Sequence, residues 1–133
     1  MPVIRLLLLG TALSATMLLT GVQAQSNGRP PSACSNPGSA PAVSGTRWTG
    51  RFTWDGDPAV TQTMRFRPDC VLEYSYNGST HTNGKWRQSG ALVLWDTNDY
   101  YAVYMGTRSG GQMSGVMNNQ NGDSGVWSFK RAD

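Results

Sequence analysis

The sequence predicts an all-β domain, an eight-stranded antiparallel up-and-down (meander) β-barrel. Three observations carry this. From Gly45 onward, aromatic and β-branched residues alternate with polar ones in short segments, the period of a half-buried strand. Turn residues interrupt these segments about every ten positions. No window shows the 3.6-residue period of an amphipathic helix.

The first strand spans Arg47–Trp54, with Trp48, Phe52 and Trp54 on one face, and Asp55-Gly56-Asp57-Pro58 ends it. Val60–Arg67 follows, placing Val60, Gln62, Met64 and Phe66 inward. Pro68-Asp69 turns the chain into Cys70–Tyr76, and Asn77-Gly78 is a strong hairpin signal. The remaining strands are expected at Asn83–Gln88, Ala91–Trp95, Tyr100–Met105, Gln112–Met117 and Gly125–Lys130, joined by Ser89-Gly90, Thr97-Asn98-Asp99, Ser109-Gly110-Gly111 and the polar loop Asn118–Asp123. Closing such a meander removes the exposed edges that invite aggregation. A two-sheet sandwich would require longer crossovers than these turns. Gly84, Gly115 and Gly125 fall inside strand patterns, where glycine marks a bend or bulge in a coiled wall. Gly84-Lys85-Trp86 and Gly125-Val126-Trp127 repeat one arrangement. Alternation assigns the core to Trp48, Phe52, Val60, Met64, Phe66, Leu72, Tyr74, Trp86, Leu92, Leu94, Val103, Met105, Met113, Met117, Trp127 and Phe129.

With these residues in place, Gly45–Arg131 resembles the calycin-like barrels: lipocalins, avidins and the small exported bacterial proteins like them. The likeness rests on Gly45-Thr46-Arg47-Trp48 opening the first strand, on eight strands in meander order, and on Lys130 or Arg131 closing the last. It implies that Trp48 packs across the barrel floor with Arg131 stacked over it, a cation–π contact. The spacing here is G-x-x-W where the family has G-x-W, the strands are short, and no helix follows. The polar residues with which avidins hold biotin have no counterpart around Thr49–Trp54. The resemblance therefore implies a fold, not biotin binding.

The chain ahead of the barrel divides in two. Arg5, an apolar run from Leu6 to about Leu19, and Gly21-Val22-Gln23-Ala24 form the three-part layout of a secretory signal peptide, with cleavage expected after Ala24. The run, roughly 14 residues, is shorter than the roughly 20 that span a bilayer. No membrane span is expected after cleavage, and the protein is expected to be secreted or periplasmic. Residues 25–44, rich in Pro, Ser, Gly and Ala, are expected as a flexible leader, ahead of one barrel domain over 45–133. Cys34 and Cys70 are the only cysteines. In an oxidising compartment they most simply form one disulfide, stapling the leader to the barrel.

The formal charge of +3, one less once Arg5 leaves, and a charged fraction of 14% lack the dense basic face of a nucleic-acid binder. No cofactor or metal site is expected. The single histidine, His81, falls in the Asn77–Asn83 hairpin without converging ligands or a nucleophile and orienting carboxylate. Asp96 and Asp99 suit turn formation better than paired acid–base chemistry. Asp55-Gly56-Asp57 and Asn118–Asp123 lack the ligand count of a calcium loop. An enzyme is not expected.

Two binding functions remain. In the first, Trp54, Gln62, Tyr76, Gln88 and Tyr101 line one open end of the barrel and hold a small apolar or aromatic ligand. In the second, Trp95, Tyr100 and Tyr104 face outward beside the arginines of the first two strands and hold a protein partner, as in an inhibitor or accessory subunit. If the register of those strands slips, the aromatics pack inward instead.

Overall fold

Alternating side chains can be buried on one face only if the sheet curls around them. In a computed structural model, which describes residues 33–133, the sheet does so completely. The described strands are β1 (Ser35–Asn36), β2 (Arg47–Trp54), β3 (Val60–Phe66), β4 (Val71–Tyr76), β5 (Ser79–Ser89), β6 (Leu92–Thr97), β7 (Ala102–Ser109), β8 (Gln112–Asn119) and β9 (Ser124–Arg131). Strands β2 to β9 pair with their neighbours in chain order and antiparallel, and β9 returns to β2 from Trp48↔Arg131 to Trp54↔Gly125. This is the eight-stranded up-and-down barrel, and no helix occurs among the described residues. The expected signal peptide and its cleavage site lie outside the described residues.

The seam between β5 and β6 shows how the ends are made. The first part of β5 pairs with β4, ending at Val71↔Lys85, and β6 pairs with the other edge of β5 from Trp86↔Trp95 to Ser89↔Leu92. Beyond the end of β4, β5 would present a bare edge. Strand β1 covers it in parallel, Ser35↔Gln88 and Asn36↔Ser89, with Gln88 N donating to Cys34 O (2.7 Å) and Gly90 N to Asn36 O (2.8 Å). The Cys34–Cys70 disulfide anchors this strand.

Residues 33–44 are thus not a loose leader. Val43 is completely buried and seals the floor of the barrel. Gln88 fixes the seal, accepting from Val43 N (2.9 Å) and donating to Pro41 O (2.8 Å). Arg108 donates to the carbonyls of Pro41, Ala42 and Gly110 and lies over the Trp48 ring, 5.0 Å from its centroid. The cation–π contact on the floor tryptophan therefore exists, but its cation is Arg108. Arg131 instead pairs with Asp133 at the surface (3.0 Å). The physical reason is the face each occupies. Arg131 ends β9 on the terminal rung opposite Trp48, where its side chain is exposed, whereas Arg108 ends the inward row Ala102, Tyr104, Gly106, Arg108 at the floor.

The core matches expectation in β2, β3, β4, β5, β8 and β9 and is inverted in two strands. In β6 the buried apolar residues are Val93 and Trp95, and in β7 they are Ala102 and Tyr104; Val103 and Met105 face solvent. Leu92 and Leu94 are half-buried on the outer side. Trp95 sits at the centre of the barrel, stacked on Tyr104 (5.2 Å between centroids) and packed against Phe66, Trp127 and Phe129.

Gly115 and Gly125 do not mark bulges either, since the ladders run through them without a shift of register. They point inward and make room: a Cβ on Gly125 would meet Thr53 O at 2.3 Å, and one on Gly115 would meet Met105 O at 2.0 Å. Only near Gly84 does the ladder slip, between Leu72 and Tyr74.

Candidate functional site

The end opposite the sealed floor is open. There a cavity of about 320 Å³ is lined by Phe52, Trp54, Gln62, Tyr74, Tyr76, His81, Thr97, Asn98, Tyr101, Ala102 and Tyr104, within the size range of small-ligand sites. Each side chain arrives by strand geometry. Phe52 and Trp54 are successive inward positions at the end of β2, and their rings meet edge to face at 6.5 Å. Gln62 is on the adjacent β3. The Asn77-Gly78 turn, with φ of 50° and 75°, brings Tyr76 opposite Ser79 and Tyr74 opposite His81. His81 then stacks on Tyr74 (5.4 Å, 24°) and meets Tyr76 at 6.5 Å.

The rim from Thr97 to Tyr101 is unusual. Asn98, Asp99 and Tyr100 all have positive φ, 51°, 51° and 67°. Asn and Asp tolerate this region, but a bulky tyrosine rarely does. Such a conformation persists only where the surroundings impose it, and here they do. Tyr74 Oη donates to Asn83 Oδ1 (2.6 Å) and accepts from Asn98 N (2.9 Å). Asp99 N donates to Asn83 O (3.0 Å), Tyr100 N to Asp96 Oδ1 (3.3 Å) and Tyr101 N to Asn98 O (3.1 Å). Burial raises both the Tyr74 phenol and the Asp96 carboxyl above their ordinary values. The strained turn is therefore clamped to a wall of the cavity by the same tyrosine that lines it.

Gln62 is the distinctive residue. It is only 2% exposed, and its Nε2 donates to Ser75 O (3.2 Å) while Oε1 has no partner. Because a carbonyl already occupies the Nε2 side, rotating the amide would set two acceptors against each other; the orphan atom is the oxygen. A buried, unpaired acceptor costs about 1–3 kcal/mol. A second orphan, Trp95 Nε1, lies beneath Tyr104 in the aromatic cluster. The other fully buried indoles all donate: Trp48 to Thr46 Oγ1, Trp86 to Arg67 O and Trp127 to Val116 O.

Tyr104 is buried, and that burial pushes its phenol up to about 12, partly opposed by a hydrogen bond with Thr97. A raised value means that the neutral form is favoured by folding. This stability is complete below the phenol's ordinary value of about 10 and is lost as pH rises through about 12. Tyr104→Phe should therefore remove an alkaline limb from the unfolding profile, seen as loss of near-ultraviolet circular dichroism; an unchanged limb would contradict the assignment.

Of the five side chains expected to share the open end, Trp54, Gln62, Tyr76 and Tyr101 do, and Gln88 does not, being the residue that ties down the floor. His81, expected in a solvated hairpin, is on β5 in the wall. Tyr74, His81, Thr97 and Asn98 were not expected at the site. The hairpin contained the signal for two of them: a two-residue turn after Tyr76 sets Tyr74 against His81. The expected partner face does not form as such. Trp95 and Tyr104 are both buried (2% exposed), leaving Tyr100 alone at the surface. What faces outward is a row of opposed residues across β6 to β9, Leu94, Met105, Val116 and Val126.

Compared with known proteins, the chain matches no family model, no curated protein and no solved structure. The functional reading rests on the chain's own residues.

Proposed function

We propose that this is an exported, calycin-like barrel that binds a small apolar or aromatic molecule in its open end and does not act on it chemically. The single observation that carries the reading is the unpaired, buried Oε1 of Gln62, a residue that lines a cavity walled by aromatic rings. Small-molecule sites combine an apolar enclosure with a few placed polar atoms, and an unmet acceptor persists where something else meets it. The clamped turn at Asn98–Tyr100 supports the same reading, since strain of this kind gathers at ligand sites. The lining holds no carboxylate, lysine, cysteine or serine, which supports binding over catalysis. The disulfide suits an oxidising compartment, as does the apolar N-terminal run. The alternative, a protein-binding face, keeps only Tyr100 of its three aromatics at the surface.

The test is a fluorescence titration of the mature protein with N-phenyl-1-naphthylamine, an uncharged aromatic probe that brightens in apolar sites. Saturable binding at one site per barrel is expected, weakened about tenfold or more by Trp54→Ala. No saturable binding of either this probe or naphthalene would contradict the proposal.

A further inference from the structure

The cavity's own chemistry specifies more than its size. No lysine, arginine, aspartate or glutamate lines it, and its one imidazole, His81, is stacked on Tyr74 in the wall. Among its lining residues the one deeply buried polar side-chain atom without a partner is an acceptor, Gln62 Oε1. An anion entering such a site loses its water and meets no lysine or arginine. A cation would meet aromatic faces and the amides of Gln62 and Asn98, but no carboxylate to neutralise it. A neutral molecule without a donor leaves Oε1 unpaired, and a neutral one with an N–H or O–H pairs it. The acceptor is held in place, because Nε2 of the same amide is committed to Ser75 O on the neighbouring strand. The aromatic enclosure, with Trp54 and Tyr76 at the mouth and Phe52, Tyr74 and Tyr104 within it, suits a flat ring system.

We infer that the ligand is an uncharged, planar aromatic molecule that donates one hydrogen bond to Gln62 Oε1, and that Gln62 determines this specificity. The inference rests on the small-ligand reading above. Discrimination comes from the unmet acceptor: a site built to bond a donor rejects the analogue lacking it, because the buried partner is left unsatisfied.

The experiment compares size-matched probes by calorimetry on the mature protein. Indole and benzofuran differ in one N–H; indole-3-carboxamide and indole-3-carboxylate differ in charge. Indole should bind about tenfold or more tightly than benzofuran, and the carboxamide should exceed the carboxylate by a similar factor. Gln62→Leu, or Gln62→Met if the former does not fold, should bring indole down to the affinity of benzofuran. Retained benzofuran binding shows that the variant cavity is intact. Equal affinity for indole and benzofuran in the unaltered protein would overturn the donor assignment while leaving small-ligand binding in place. Preference for the carboxylate would overturn the assignment of neutrality. Failure of all four probes to bind would overturn the inference together with the reading on which it rests.

Discussion

Arg108→Met should lower the melting temperature by about 12 °C, whereas Arg131→Ala should change it by no more than about 3 °C. Arg108 is only 6% exposed and has no carboxylate partner among its hydrogen bonds. Burial pushes its guanidinium below its ordinary value, with Arg131 adding repulsion, yet an arginine stays charged. Its charge is met by the carbonyls of Pro41, Ala42 and Gly110 and by the face of Trp48. Methionine fills much of the volume but leaves those carbonyls unmet, at about 3 kcal/mol in total. Two of the three carbonyls belong to the segment that seals the floor, so limited proteolysis should cut the variant first within residues 33–44. Arg131 forms an exposed pair with Asp133, of a kind that contributes little. Equal effects of the two substitutions in chemical and thermal melts would contradict this account of the floor.

The second large effect concerns the barrel's girth. Gly106→Ala should cost about 3 kcal/mol, while Gly111→Ala should leave stability unchanged or raise it slightly. Gly106 and Gly115 face each other across β7 and β8, and the Trp127 ring lies over both. A Cβ on Gly106 would come within 2.1 Å of Ser114 O and 2.4 Å of Trp127 Cζ2. The first atom is backbone and the second belongs to a ring wedged against Trp95 and Phe129, so neither yields cheaply. Gly111, in the turn between the same strands, has nothing within 4 Å. Urea denaturation of both variants is the check, and a tolerated Gly106→Ala would show that the β8 backbone at Ser114 and the Trp127 ring are both free to shift.

These two regions also show where the sequence was and was not legible. The number and order of the barrel strands were legible because turn residues punctuate the chain, although β5 begins at Ser79 and not at Asn83, and β7 spans Ala102–Ser109 and not Tyr100–Met105. The inward faces of β2 to β5, β8 and β9 were legible because polar residues alternate with apolar ones. In β6, Leu92-Val93-Leu94-Trp95 is apolar at every position, so alternation carries no phase. In β7 the true inward row ends in a glycine and a buried arginine, while the outward row holds Val103 and Met105; the pattern favours the wrong face. At the site, Gln88 was assigned to the correct face but the wrong end. Alternation gives the face of a residue, and only strand direction gives its height. Strand β5 begins beside Tyr76, so its far end, where Gln88 lies, reaches the floor. The order of residues 33–44 was invisible because it depends on distant partners, Gln88 and Arg108, in place of a core of its own.

The central claim is that the open end of the barrel holds the ligand at Gln62. Side-chain and backbone nuclear magnetic resonance of the mature protein during an indole titration tests it most directly. The account predicts shifts at the Trp54 indole N–H, the Gln62 carboxamide and the amides of Thr97 to Ala102, with the Trp48 indole and the Val43 amide unmoved. Shifts confined to the outward row of Met105, Val116 and Val126, shifts at the floor, or none at saturating indole would contradict it.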